Sequence, residues 1–155
     1  MKLDNKIEIS IFDFFKYGKF DYIKLGQTKE WILNNFPDPD TQSKYKWGDI
    51  WQYGNIEFTF SENKLVLIFS DKFDNFNGGD NLLIDNWILD EKDLSLIHIL
   101  KILNENNIDY KKKTFNTDNI KVTLESGVTL CFYNLDEVEN TNINNYKMIA
   151  FEFTL

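Results

Sequence analysis

The sequence predicts an α+β domain in which helices pack on one face of a mainly antiparallel sheet, and three observations predict it. From residue 49 to residue 69 apolar side chains recur at every second position, with turn residues breaking the run at short intervals. Around residues 29–36 and 90–107 the spacing changes to that of a helix, with capping residues in front. The chain is 155 residues long, 43% apolar and 16% aromatic, which suits one core that needs neither disulfides nor metals. No repeat or linker-like stretch divides it, so residues 1–155 are expected to form a single α+β domain.

In chain order, residues 7–17 place Ile7, Ile11, Phe14 and Phe15 at helical spacing, although Ile7, Ile9 and Ile11 also alternate as in a strand. The expectation is a helix that stops at Gly18, since glycine readily takes the left-handed conformation that ends helices. Thr28 can cap a second short helix over residues 29–36, where Trp31, Ile32 and Phe36 share a face and Pro37 and Pro39 prevent continuation. After a polar connector at 38–48 come three strands, residues 49–53, 56–60 and 64–69, with Gly54-Asn55 and Ser61-Glu62-Asn63 as turns. In the middle strand Ile56, Phe58 and Phe60 face one way, Glu57 and Thr59 the other. The third is apolar from Leu65 to Phe69, so both its faces should be covered and it belongs near the sheet centre.

Residues 70–81 read as a loop and 82–87 as a short strand. From Asp90, acidic residues that complement a helix dipole precede Leu94, Ile97 and Leu100 on successive turns. Three strands follow over 110–115, 120–125 and 128–133, the last two joined by a tight Ser126-Gly127 turn. A final strand over 147–155 alternates Ile149, Phe151, Phe153 and Leu155.

Charge narrows the function. The net charge is −8 and it is concentrated: residues 47–93 hold 3 Lys against 10 Asp and Glu, while the flanking segments are near balance. A surface of that sign repels phosphate backbones and attracts basic protein surfaces, so no nucleic-acid partner is expected. Glu8, Asp13 and Lys16 break the apolar run near the N-terminus, so no signal peptide is expected. No stretch approaches the roughly 18 apolar residues of a membrane span, so no membrane partner is expected either. The single Cys131 cannot form an internal disulfide, and the expected location is cytoplasmic.

No catalytic pattern is visible. The chain lacks G-x-S-x-G, a Walker-type loop, G-x-G-x-x-G, H-E-x-x-H and C-x-x-C, so neither an enzyme activity nor a cofactor is expected. His98, the only histidine, lies between Ile97 and Ile99 without an evident titratable partner and reads as structural. Cys131 sits in an alternating strand, where a thiol is ordinarily a small hydrophobe. Asp71, Asp74, Asp80, Asp85, Asp90, Glu91 and Asp93 raise the question of calcium. A loop opening at Asp74, however, puts Phe76 and Gly78 where oxygen ligands belong, so no metal site is expected.

The acidic residues Asp71, Asp74, Asp80, Asp85, Asp90 and Glu91 are instead the preferred contact face for a partner, weighed against a merely solubilising role. Trp47, Trp51, Tyr53 and Trp87 could line a pocket, but in strands such rings first serve cross-strand packing. The alternative function is therefore a small enzyme or ligand-binding domain with a pocket around Trp51, Tyr53 and Glu57. A scaffold or self-associating protein is the third.

The segment Trp51-Gln52-Tyr53-Gly54-Asn55-Ile56-Glu57-Phe58-Thr59-Phe60 resembles the YG-(D/N)-(I/L)-E-F-x-F segment of small bacterial proteins. Several of these look like immunity partners in polymorphic toxin and contact-dependent growth inhibition systems. Gly26-Gln27-Thr28-Lys29-Glu30 opening a short helix, the Lys64 to Asp71 strand and the Ser126-Gly127-Val128 hairpin run in the same order. Gly26, Trp51, Tyr53, Gly54, Glu57, Phe58 and Phe60 look like a fold signature, mainly structural, because the glycines serve turns and the alternating aromatics a sheet. The resemblance implies a cytosolic protein that binds one cognate toxin domain and blocks it, with no catalytic residues to carry over. The acidic middle segment suits a basic nuclease domain as that toxin.

Overall fold

The computed structural model describes residues 6–115, 118–134 and 145–155. In chain order, β1 (Ile7–Ser10) runs straight into α1 (Ile11–Tyr17), followed by α2 (Lys29–Asn35). The strands β2 (Thr41–Tyr45), β3 (Gly48–Tyr53), β4 (Ile56–Ser61) and β5 (Lys64–Ser70) form a meander. Then come β6 (Leu82–Asp85), a 3₁₀ turn (Trp87–Asp90) and α3 (Leu96–Glu105), and finally β7 (Tyr110–Thr114), β8 (Asn119–Leu124), β9 (Thr129–Asn134) and β10 (Tyr146–Thr154). Eight of the strands make one antiparallel sheet in the order β2-β3-β4-β5-β10-β9-β8-β7, while β1 and β6 pair in parallel as a separate ribbon. The last strand lies mid-sheet: β10 bonds β5 on one side and β9 on the other, joining two meanders that are distant in sequence.

The expected mainly antiparallel α+β architecture is present, with corrections at several elements. Residues 7–10 are strand rather than helix, because they pair with 82–85 in the register Ile7↔Leu82 to Ser10↔Asp85. The alternation of Ile7 and Ile9 permits the strand, and only the long-range partner selects it. Ser10 then caps α1 by accepting the Asp13 N–H at 3.1 Å, and Gly18 ends it at φ 69°. Thr28 caps α2 as expected, accepting the Trp31 N–H at 3.2 Å. Ile32 and Phe36 are buried, but Trp31 is 38% exposed and does not share their environment.

The connector at 38–48 contains β2, whose five residues are all exposed. An edge strand solvated on both faces needs no apolar residues, so no alternation announced it. In β5, Leu65 and Ile68 are fully buried but Val66, Leu67 and Phe69 only half-buried, so the second face is less covered than its composition implied. The strand from Leu82 stops at Asp85, because Trp87 takes φ 49° and opens the 3₁₀ turn, its ring edge-on to Phe12 at 5.0 Å. Helix α3 starts at Leu96 with Ser95 as cap; Leu96, Ile99 and Leu103 are buried, while Ile97 is 43% exposed. In β10 the register slips between Met148 and Ala150, so Ile149 turns outward and Phe151 stays buried; Leu155, past the strand, is exposed.

Phenylalanines hold the layers together. Phe14 and Phe15 of α1 each meet Phe151 at 5.7 Å, Phe20 meets Phe58 at 5.5 Å, and Phe36 meets Tyr53 at 5.6 Å, mostly edge-on. These contacts seat α1 and the residue that ends α2 on the sheet face carrying Tyr53, Phe58 and Phe151.

Candidate interaction surface

The aromatic motif is built into the sheet. Trp51, Tyr53, Phe58 and Phe60 are each at most 2% exposed, with Trp51 on Phe60 at 4.5 Å and Tyr53 on Phe58 at 5.0 Å. The Tyr53 hydroxyl donates to the Pro37 carbonyl at 2.8 Å, and burial, with Asp38 and Asp40 adding to it, raises its pKa far above the ordinary value. Glu57 alternates to the opposite face of β4, across from Gln52 and Phe69. The structure therefore does not gather Trp51, Tyr53 and Glu57 round one cavity. Gly54 closes the turn at φ 58°, and a Cβ there would lie 2.3 Å from the Gly79 nitrogen and 2.5 Å from the Asn77 oxygen. Gly26, at φ 92°, faces open space.

That close approach at Gly54 is where the motif meets the acidic segment. The segment after β5 is fastened rather than loose: Asn55 N–H donates to the Asn77 carbonyl at 3.0 Å, and Asn77 N–H donates to Asn55 Oδ1 at 2.9 Å. The Asp40 carboxylate accepts from Gly54 N–H at 2.6 Å and Asp80 N–H at 3.0 Å, tying β2's entry, the turn and the loop together. Asn81 donates to the Asp38 carbonyl at 2.8 Å. Beneath, Phe76 is buried and edge-on to Phe151 at 6.0 Å.

Asp71, Asp74, Asp80, Asp85, Asp90 and Glu91 are all exposed. Among the described residues Asp71, Asp74, Asp80 and Asp85 form no ion pair. Asp90 accepts from the Asn86 amide at 2.8 Å, and Glu91 pairs with His98, a partner seven residues further on that sequence inspection did not identify. Asp93 accepts the Ser95 N–H at 2.9 Å and lies 3.7 Å from Lys147; the Ser95 side chain, first, holds its carboxyl below the ordinary range. Sequence reasoning also missed Asp40, the residue that staples the loop and whose only sequence signal was charge.

On the opposite sheet face Lys121 donates to Glu152 at 3.0 Å, which raises the lysine's pKa. Neighbouring Cys131 is half-buried, and desolvation, then Glu152, pushes its thiol up to about 11, with Lys121 opposing. A raised thiol pKa is the reverse of what nucleophilic cysteines show. Among the described residues no three His, Cys, Asp or Glu side chains converge as metal ligands would, and no helix is long and apolar enough to cross a membrane. An open groove of about 730 Å³ runs along Tyr22, Trp31, Asn34 and Asn35, and another of about 560 Å³ lies between Tyr110 and Gly127.

No protein-family model matches the chain, and no curated protein matches it. Among solved structures, it is similar to an extracellular protein containing an SCP domain from Bacillus anthracis str. Ames, at 10% identity and a TM-score of 0.39. That likeness covers 84% of this chain and 43% of the other, so the chain spans less than half the length of that protein.

Proposed function

We propose that this chain is an immunity-type protein that binds a cognate toxin domain, a basic nuclease, in the cytoplasm and neutralises it by covering its active site. The observation that carries the proposal is the acidic surface. Asp71, Asp74, Asp80 and Asp85 are exposed and among the described residues take no cation, on a segment fastened by Asp40, Asn55 and Asn77. Carboxylates carried on a backbone already held in place cost little main-chain ordering on meeting a basic surface, and they speed the encounter through long-range attraction. The likeness of the Tyr53 to Phe60 segment to immunity proteins supports the same function. In this scheme all three helices cover one sheet face, the motif residues support the acidic loop from below, and recognition needs no catalytic group.

The test is to co-express the chain with the toxin domain encoded beside its gene and measure their affinity at rising salt. A complex that weakens steeply with salt is expected, and it should weaken further when Asp71, Asp74 and Asp85 are changed together to Asn. No complex with the neighbouring gene product, or one indifferent to both salt and the triple substitution, overturns the proposal.

A further inference from the structure

The two edges of the eight-stranded sheet differ in a way that the toxin-binding function does not use. β7 carries Lys111, Lys112 and Lys113 in succession, all exposed, with the Lys113 and Lys121 ammonium groups over the exposed Phe115 ring at 5.0 and 5.4 Å. Pairing this edge with a copy of itself, centred on Lys112, sets Lys112 against Lys112 and Lys111 against Lys113. Shifting by one register step still opposes Lys111 or Lys113 to itself. Lysines on an edge strand block such association.

β2, the other edge, carries a single lysine, Lys44, in place of three in succession. Its sequence is Thr41-Gln42-Ser43-Lys44-Tyr45, every residue is exposed, and among the described residues it is hydrogen-bonded to β3 alone. Beside it Tyr45 and Trp47 stack face to face at 5.2 Å and 4° while remaining 51% and 56% exposed, an aromatic pair of the kind enriched at protein interfaces. An antiparallel pairing of β2 with its own copy, centred on Ser43, sets Thr41 opposite Tyr45, Gln42 opposite Lys44 and Ser43 opposite Ser43. No like charges stand directly opposite, Lys44 and its copy lying only diagonally across the ladder, and each opposed pair points to the same face, as an antiparallel ladder requires. We infer that β2 is a self-pairing edge, and that two copies of this chain join there about a two-fold axis through Ser43 into one continuous sixteen-stranded sheet.

The experiment uses the full chain. Light scattering over a concentration series is expected to give a dimer that dissociates on dilution. Ser43→Lys, which adds like charges at the axis, should weaken the dimer by about tenfold or more, whereas Lys112→Ser on the far edge should leave it unchanged. Should Ser43→Lys fail to fold, oxidation of cysteine variants in a Cys131→Ser background decides the matter. Opposed Cβ atoms of an antiparallel pair lie about 4.5–5.5 Å apart, near the span of a disulfide, and diagonal ones about 7–8 Å. Ser43→Cys should therefore cross-link into a dimer faster than Gln42→Cys. A chain that stays monomeric throughout, a dimer that Ser43→Lys leaves intact, or equal cross-linking at 42 and 43 overturns the inference without touching the toxin proposal.

Discussion

Replacing Gly54 with alanine should cost far more than the added methyl suggests, and replacing Gly26 supplies its control. Both glycines have positive φ, 58° and 92°, so each substitution places a Cβ in a conformation that L-residues avoid, at about 1–2 kcal/mol. At Gly26 nothing lies within 4 Å, and the cost ends there. At Gly54 the Cβ would sit 2.3 Å from the Gly79 nitrogen and 2.5 Å from the Asn77 oxygen, both backbone atoms that no rotamer change can move. The turn and the loop must part, which strains the Asn55 to Asn77 bond at 3.0 Å and the Asp40 clamp on Gly54 and Asp80. Losing one or two such bonds adds about 1–3 kcal/mol. For a chain of this size each kcal/mol lowers the melting temperature by about 2–4 °C. Gly54→Ala is thus expected to melt about 4–20 °C below the parent in circular dichroism, and clearly below Gly26→Ala. Equal melting temperatures for the two variants would refute the claim that the motif glycine is held by contact with the acidic loop.

Tyr53→Phe removes the hydroxyl that donates to the Pro37 carbonyl and should cost about 1–3 kcal/mol in urea unfolding, since the acceptor stays buried. Cys131, with its thiol raised to about 11, should alkylate at pH 8 about a hundredfold more slowly than a free cysteine, and denaturant should restore the rate. Asp93 has a lowered folded pKa, so its contribution to stability is present above the unfolded value and is lost as pH falls through the folded one. Asp93→Asn is expected to be less stable than the parent at neutral pH and indistinguishable from it once the parent's Asp93 carboxyl is protonated, read from melts across pH. Phe14→Ala, which vacates a site shared with Phe15, Phe20, Phe151 and Phe153, should destabilise by about 3–5 kcal/mol.

What the sequence by itself determined was whatever rests on neighbouring residues. The Thr28 cap, the β3–β4–β5 meander with its Gly54 turn, the buried face of Ile56, Phe58 and Phe60, and the Ser126-Gly127 hairpin all follow from spacings of a few residues, and the acidity of the middle segment is a plain count. Tertiary structure decided whatever depends on a distant partner. It made Ile7–Ser10 a strand by supplying Leu82–Asp85, and it placed β10 between β5 and β9 with a bulge that turns Ile149 outward. It also brought Asp40 to Asp80, Glu91 to His98, and Lys121 to Glu152. The physical reason is common to these cases: backbone and carboxylate groups take whichever donor the fold presents, and local sequence does not say which one that will be. β2 is the extreme case, since a strand exposed on both faces carries no hydrophobic signature, and the fold alone sets it at the end of the strand order, beside β3.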